Sequence, residues 1–322
     1  DLTNHAAQPM KGQSGNTITY NGEIYNYKEL MTQLSGDWSF RSTSDTETIL
    51  AAYDKYGKDC LDHLRGMFAF ALWDEKRQSL FCARDRFGIK PFYYCQLGEK
   101  FYFASEAKAL LPFLNEIRTN KDALAEYLTF QYTIGEKTLF SGIKQLLPGH
   151  ALTIENGKVK VFRYWDVSYD IDFDHNPAYF YNKLNELMED SIDVHCRSDV
   201  PVGSYISGGI DSSLVYRLSR DNDSSSSLGF HGRFTDYPGY DESSFAEAAA
   251  MEGNGTLHTI DINSNDFRNH IESVIYHLDF PVAGPGSFPQ FMVSKLAADH
   301  VKVVLGGQGA DEIFGGYARY LV

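Results

Sequence analysis

At 322 residues the chain is too long for one ordinary domain and comfortable for two. Its 43% hydrophobic content supports buried cores, while a formal net charge of −14 argues against a nucleic-acid partner held by phosphate neutralisation and against docking on an anionic membrane. There is no run of about 18 apolar residues and no basic-then-apolar start, and Cys60, Cys82, Cys95 and Cys196 form no CxxC pair, so the expectation is a reducing, cytoplasmic setting without membrane or structural zinc.

In chain order, the first predicted element is a strand over 17–20. Ser44-Asp45-Thr46-Glu47 reads as a capping box for a helix that carries Ile49, Leu50 and Tyr53 and closes at Gly57. Aromatic and β-branched runs over 67–73, 79–83, 91–95 and 100–104 read as strands, with turns at 75–78, 86–88 and 97–99. The segregated order predicts an α+β first domain over 1–150 with an antiparallel sheet. Residues 151–176 read as a connecting segment, with an Asn156-Gly157 hairpin turn followed by a solvated, aspartate-rich stretch.

Pro177 opens a predicted amphipathic helix to Cys196, with Leu184, Leu187, Met188 and Ile192 on one face. Beyond Pro201 strands and helices alternate. A strand over 202–206 enters a glycine turn and a helix, a second strand reaches Gly232, and a helix from Asp241 carries Phe245, Ala248 and Ala249. Further strands at 256–260 and 301–305 complete the pattern of a parallel, doubly wound α/β sheet over 177–322. The serine run at 224–227 reads as a loop.

The chemistry concentrates at two glycine turns. Ser207-Gly208-Gly209-Ile210-Asp211-Ser212-Ser213 follows an apolar strand and opens a helix, so backbone N–H groups can close on phosphate oxygens at a helix N-terminus. Asp211 would repel phosphate directly; its sensible task is to hold a magnesium ion. Neither a Walker loop nor a GxGxxG fingerprint is present. About a hundred residues on, Gly306-Gly307-Gln308-Gly309-Ala310-Asp311-Glu312 again follows an apolar strand. Asp211 and Asp311 could then ligate one cation from two sides of a triphosphate.

The 207–213 turn resembles the signature of the ATP pyrophosphatases, and with GGQGADEIFGGY at 306–317 and YDES at 240–243 the resemblance narrows to glutamine-hydrolysing asparagine synthetases. YNGEIYN (20–26), SDTE (44–47), RGMFAF (65–70), ARDRFGIKP (83–91) and SEAK (105–108) are similar to that family's glutaminase half, in the same order along the chain. The resemblance implies an N-terminal-nucleophile amidase with an αββα sandwich, followed by an α/β ATP-pyrophosphatase domain, both incomplete.

By the same resemblance, the Asn21 side chain and the Gly22 N–H form an oxyanion pair, and Asn21, Gly22, Glu23 and Asp45 bind glutamine. Ile206, Ser207, Gly208, Gly209, Asp211, Ser212, Gly232, Gly306 and Gly307 are expected around ATP, with Asp211 and Asp311 holding Mg2+. The implied reaction joins aspartate to ATP as β-aspartyl-AMP, which ammonia from glutamine converts to asparagine. Substrates are the expected partners, and a homodimer is the candidate assembly.

Two departures qualify this. The family's terminal cysteine nucleophile is expected upstream of Asp1 and a helical portion beyond Val322, so the chain reads as a fragment without glutaminase activity of its own. Gln308 stands where the best-studied members carry a catalytic glutamate; an amide keeps the hydrogen-bonding shape but cannot act as a base. The alternatives are a same-fold amidotransferase acting on a sugar uronic acid or peptide carboxylate, and a non-catalytic glutamine-binding relic.

Overall fold

The structure is a computed structural model and describes residues 3–222, 228–236, 239–252, 255–279, 286–317 and 320; the serine run at 224–227 lies outside them. The chain divides into two compact units, Asp1–Asp170 with Leu278–Ala283, and Ile171–His277 with Gly284–Val322.

The first unit runs β1 (Met10–Lys11), β2 (Thr17–Ile24), α1 (Tyr27–Leu34), α2 (Asp45–Tyr56), α3 (Cys60–His63), β3 (Gly66–Asp74), β4 (Ser79–Arg84), β5 (Tyr93–Leu97) and β6 (Lys100–Ala104). A 3-10 helix (Ala107–Phe113), α4 (Lys121–Phe130), β7 (Lys144–Gln145), β8 (His150–Glu155) and β9 (Lys158–Arg163) follow. One antiparallel sheet has the order β1-β2-β3-β4-β8-β9 and a second the order β6-β5-β7. Along β3, Phe68, Phe70 and Leu72 pack with Leu30, Leu34, Ile49 and Leu50 of α1 and α2, while Ala69 and Ala71 meet Phe92, Tyr94 and Leu152 between the sheets. A strand covered on both faces reads as a continuous apolar run, as MFAFALW does. The outer face of the smaller sheet packs Tyr93 and Cys95 against Ala107 and Leu110.

Two expectations change here. Residues 151–163 are not a connector: β8 pairs with β4, so the Asn156-Gly157 hairpin extends the large sheet and the first unit runs past residue 150. The capping box is also only half formed. The Ser44 hydroxyl accepts the Thr46 N–H (3.2 Å), but Glu47 reaches into the preceding loop. There its buried carboxylate accepts Trp38 Nε1 (3.1 Å), the N–H groups of Arg41 and Ser42 (3.1 and 2.8 Å) and Ser42 Oγ (2.7 Å). The partners of that loop's amides decide the rotamer.

Burial alone would raise the Glu47 pKa, but these bonds, from Ser42 and Trp38 above all, hold it below the ordinary 4.5. A carboxyl depressed in the folded state stabilises above its unfolded pKa and loses that contribution as pH falls through the folded value. Glu47→Gln is therefore expected to destabilise the first unit by about 2 kcal/mol at pH 7. The gap from the parent should narrow below the ordinary value of 4.5. All three tryptophans, Trp38, Trp73 and Trp165, lie in this unit, so urea unfolding followed by tryptophan fluorescence at pH 7 and in acid measures it; a gap that ignores pH refutes the account.

The ARDRFGIKP stretch is a buried splice. Asp85, 1% exposed, accepts N–H groups from Phe68, Phe87, Ile89 and Lys90 (2.9–3.2 Å). Arg84 donates to the carbonyls of Lys90, Gly88 and Leu146 (2.8, 2.7 and 2.6 Å). Burial raises the thiol pKa of Cys60, Cys82 and Cys95, which serve as small apolar groups.

The second unit contains α5 (Pro177–His195), β10 (Val202–Tyr205), α6 (Ile210–Asn222), β11 (Leu228–Arg233), α7 (Ser243–Glu252), β12 (Thr256–Asp261), α8 (Ser264–Leu278), α9 (Ser287–Ala298), β13 (Val303–Leu305) and α10 (Ala310–Phe314). Its sheet is parallel throughout in the order β12-β11-β10-β13. Parallel strands need crossovers, and the helices between them supply these. α7 carries Phe245 as expected and buries Ser243, Ala246 and Ala250, with Phe245 65% exposed: small residues face the sheet because the helix lies close to it. On α5, Ile192 and Val194 are buried and Leu187 is 52% exposed. Among the described residues no helix is long and apolar enough to cross a membrane.

Candidate functional site

In the first unit, Asn21, Gly22 and Glu23 lie on β2, and Asp45 is the first residue of α2. Asp45 Oδ2 accepts the Tyr20 hydroxyl (2.7 Å) and the Ile24 N–H (3.0 Å), so the helix start is fastened to the strand on both sides of 21–23. The four expected glutamine-site residues are thus brought together. Asn21 Nδ2 donates to Ser105 Oγ (3.2 Å), a contact that ties in the SEAK stretch. Burial first and Asp45 second push the Tyr20 hydroxyl pKa well up; burial, Glu23 and Asp85 take Tyr25 to about 12. Both phenols stay neutral, and Tyr20 donates to Asp45. A β-carbon at Gly22 would stand 2.2 Å from the Met67 carbonyl oxygen, so the strand pair itself requires glycine there.

In the second unit β10 and β13 are hydrogen-bonded neighbours with Ser204 opposite Leu305, so the turns that leave them emerge side by side. They touch. A β-carbon on Gly307 would lie 2.9 Å from Ser212 N and 3.0 Å from the Asp211 backbone carbon, which only glycine permits. A cavity of about 400 Å³ is lined by Asp211, residues 305–310 and the α5 face carrying Leu184, Met188 and Ile192. Gln308 is exposed there and donates Nε2–H to Gln290 Oε1 (3.4 Å). A smaller cavity, about 200 Å³, is lined by Ile206, Ser207 and Gly232 with Phe230, His231 and Tyr240. Of the nine expected nucleotide residues, Asp211, Gly306 and Gly307 line the larger cavity and Ile206, Ser207 and Gly232 the smaller, while Gly208, Gly209 and Ser212 lie in the 207–213 turn after β10.

The 207–213 turn is held by its own hydroxyls: Ser212 Oγ accepts the Ser207 N–H (3.1 Å) and donates to the Gly209 carbonyl (3.1 Å), and Ser213 Oγ donates to the same carbonyl (2.8 Å). Asp311 is the second residue of α10, between Ala310 and Ile313 of the larger cavity's lining but not itself among the lining residues, and a β-carbon on Gly316 would collide with its Oδ1. Among the described residues no group of three or more His, Cys, Asp or Glu could hold a metal. Carboxylates on two touching turns, with room for phosphate and water oxygens, still fit magnesium, which takes one or two carboxylates beside a nucleotide. His231 escaped the sequence reading, because a lone histidine in an apolar strand carries no pattern.

The glutamine amidotransferase domain family matches residues 1–165 and the asparagine synthase family residues 183–322. The chain belongs to the glutamine amidotransferase domain family over its first half, and its second half is similar to asparagine synthase. The "Asparagine synthetase [glutamine-hydrolyzing] 1" of Bacillus subtilis is 38% identical over 94% of this chain and 48% of its own length. The "Amidase chyE" of Penicillium rubens is 31% identical over 99% of this chain and 50% of its own. The chain thus spans about half the length of these curated relatives. Among solved structures, a glutamine phosphoribosylpyrophosphate amidotransferase from B. subtilis is 17% identical, covering 70% of this chain and 48% of its own at a TM-score of 0.37.

Proposed function

We propose that the chain contributes to ATP-dependent amidation of aspartate with glutamine as nitrogen donor, its first unit binding glutamine and its second the nucleotide. In the first unit Asn21 Nδ2 and the Gly22 N–H donate to the oxyanion formed at the glutamine amide, and Glu23 and Asp45 face its α-ammonium. In the second, the aspartate β-carboxylate attacks the α-phosphorus of ATP, giving β-aspartyl-AMP and pyrophosphate; ammonia then displaces AMP. The 207–213 turn cradles the phosphates, and Ile206 and Gly232 lie on the nucleoside side. Asp211 and Asp311 would hold Mg2+, which supplies charge neutralisation for the departing pyrophosphate. The observation that carries this reading is the contact between the two glycine turns, with Gly307 against Asp211.

Gln308 favours a second reading with the same activation and a different carboxylate, since its amide can orient an acceptor but cannot take its proton. The match to an amidase supports it. Pyrophosphate release with aspartate against a panel of other carboxylic acids separates the two.

For the division of labour, Asn21→Ala in the intact enzyme is expected to lower glutamine-driven synthesis about a hundredfold, the usual effect of losing one oxyanion donor. Ammonia-driven synthesis should stay within about twofold. Equal loss by both routes, measured as asparagine formed, would overturn the assignment of this site.

A further inference from the structure

A histidine within a parallel strand needs explaining, because two buried ring nitrogens require partners. His231 is 4% exposed, and both nitrogens have one. Nδ1 stands 2.7 Å from the Ile206 carbonyl oxygen; a carbonyl only accepts, so Nδ1 carries the hydrogen. Nε2 lies 3.2 Å from Ser243 Oγ, whose single hydroxyl hydrogen is shared between Nε2 and Asp241 Oδ1, while the Ser243 N–H also donates to Asp241 Oδ1. The Asp241 carboxyl is held below its ordinary range, by the Ser243 hydroxyl first.

The bond to Ile206 falls at the entrance of the phosphate turn. The peptide between Ile206 and Ser207 has its oxygen held by His231 and its N–H held by Ser212 Oγ (3.1 Å). Its orientation sets the direction of the N–H groups that follow. The Ile206 N–H is fixed separately, donating to the Phe230 carbonyl (2.9 Å) as the ladder continues past β10. Gly208, at φ +97°, rests on the same start of α7: a β-carbon there would be 2.9 Å from the Glu242 carbonyl oxygen and 3.1 Å from Phe245 Cβ.

We infer that His231 is a positioning residue for the nucleotide phosphates: braced by Ser243 and Asp241, it locks the Ile206–Ser207 peptide and so aims the 207–213 turn. This rests on the nucleotide reading above. His231 lines the smaller cavity with Ile206 and Gly232, but the ladder bond of Ile206 is independent of the ring, so the nucleoside side should feel the loss of His231 less than the phosphates do.

Calorimetric titration of the 322-residue chain with Mg·ATP and with adenosine tests it. His231→Val is expected to weaken Mg·ATP about tenfold, the scale of one lost buried hydrogen bond, and adenosine less than about twofold. His231→Asn, whose Nδ2–H replaces the Nδ1 donor, should recover most of the Mg·ATP affinity. Unchanged Mg·ATP binding by His231→Val, or equal weakening of adenosine, overturns the proposal. If His231→Val does not fold, Ser243→Ala decides: about threefold weaker Mg·ATP supports the brace, and no change refutes it. An unaltered chain that binds no Mg·ATP removes the nucleotide reading itself, a different outcome from binding that ignores residue 231.

Discussion

Alanine in place of Asp211 is expected to lower ATP-dependent pyrophosphate release in the intact enzyme about a thousandfold while moving the melting temperature by less than about 3 °C. The two effects separate because of where the residue sits. Asp211 lies in the first turn of α6, half-buried, and lines the larger cavity beside Gly306 and Gly307. Its contribution to the helix is a charge near the positive end of the dipole, worth about 0.5 kcal/mol. Its contribution to the reaction is a full negative charge where a polyanion and its cation must meet, where the loss reaches several kcal/mol. Asp211→Asn keeps the volume and removes the charge, so it should fail nearly as badly; activity within tenfold of the parent in either variant would show that the cation is held elsewhere. Asp311→Ala is expected to act in the same direction, though its carboxylate packs at Gly316 and must swing towards the cavity to share a ligand.

The parts of this site that were legible in the sequence share one property: the chemistry needs several special residues next to one another. Two glycine turns, each after an apolar run and each with an aspartate opening a helix, cannot be explained by packing alone. That the two turns should meet is expected from their paired aspartates; the strand pairing that makes them touch, β13 beside β10, was not legible, because register between strands a hundred residues apart is set by the whole sheet. The same limit explains β8 and β9. Their hairpin was plain from Asn156-Gly157, but that it joins β4 follows from pairing that no local pattern encodes. Glu47 shows how a local rule gives way. At N3 of α2 it satisfies the capping-box spacing, yet the amides of Arg41 and Ser42 and the Trp38 indole offer it more hydrogen bonds than its own helix does. His231 and Ser243 are the furthest from sequence, since their roles exist only once β11 and α7 are packed.

Gly22→Ala is expected to damage stability and the glutamine site together, unlike Asn21→Ala beside it. The new β-carbon would sit 2.2 Å from the Met67 carbonyl oxygen and 2.8 Å from Phe68 Cα. Both are backbone atoms of β3, which pairs with β2 from Ile24↔Gly66 to Thr17↔Trp73, so no side chain can turn aside to make room. Strand β3 cannot retreat either, because β4 holds its far edge and Phe68 and Phe70 are locked into the helix-facing core. The strain must open the β2–β3 ladder around residue 22, at about 3 kcal/mol for overpacking of this kind. At about 3 °C per kcal/mol in a unit of this size, its melting temperature should fall by about 9 °C. Tryptophan fluorescence isolates the transition, since Trp38, Trp73 and Trp165 all belong to the first unit. The Gly22 N–H, carried out of line with the strand, can no longer pair with Asn21 Nδ2 in binding an oxyanion, so glutamine-driven synthesis should fall as well. A variant that melts with the parent would show that β2 and β3 are not as tightly apposed as the 2.2 Å approach requires.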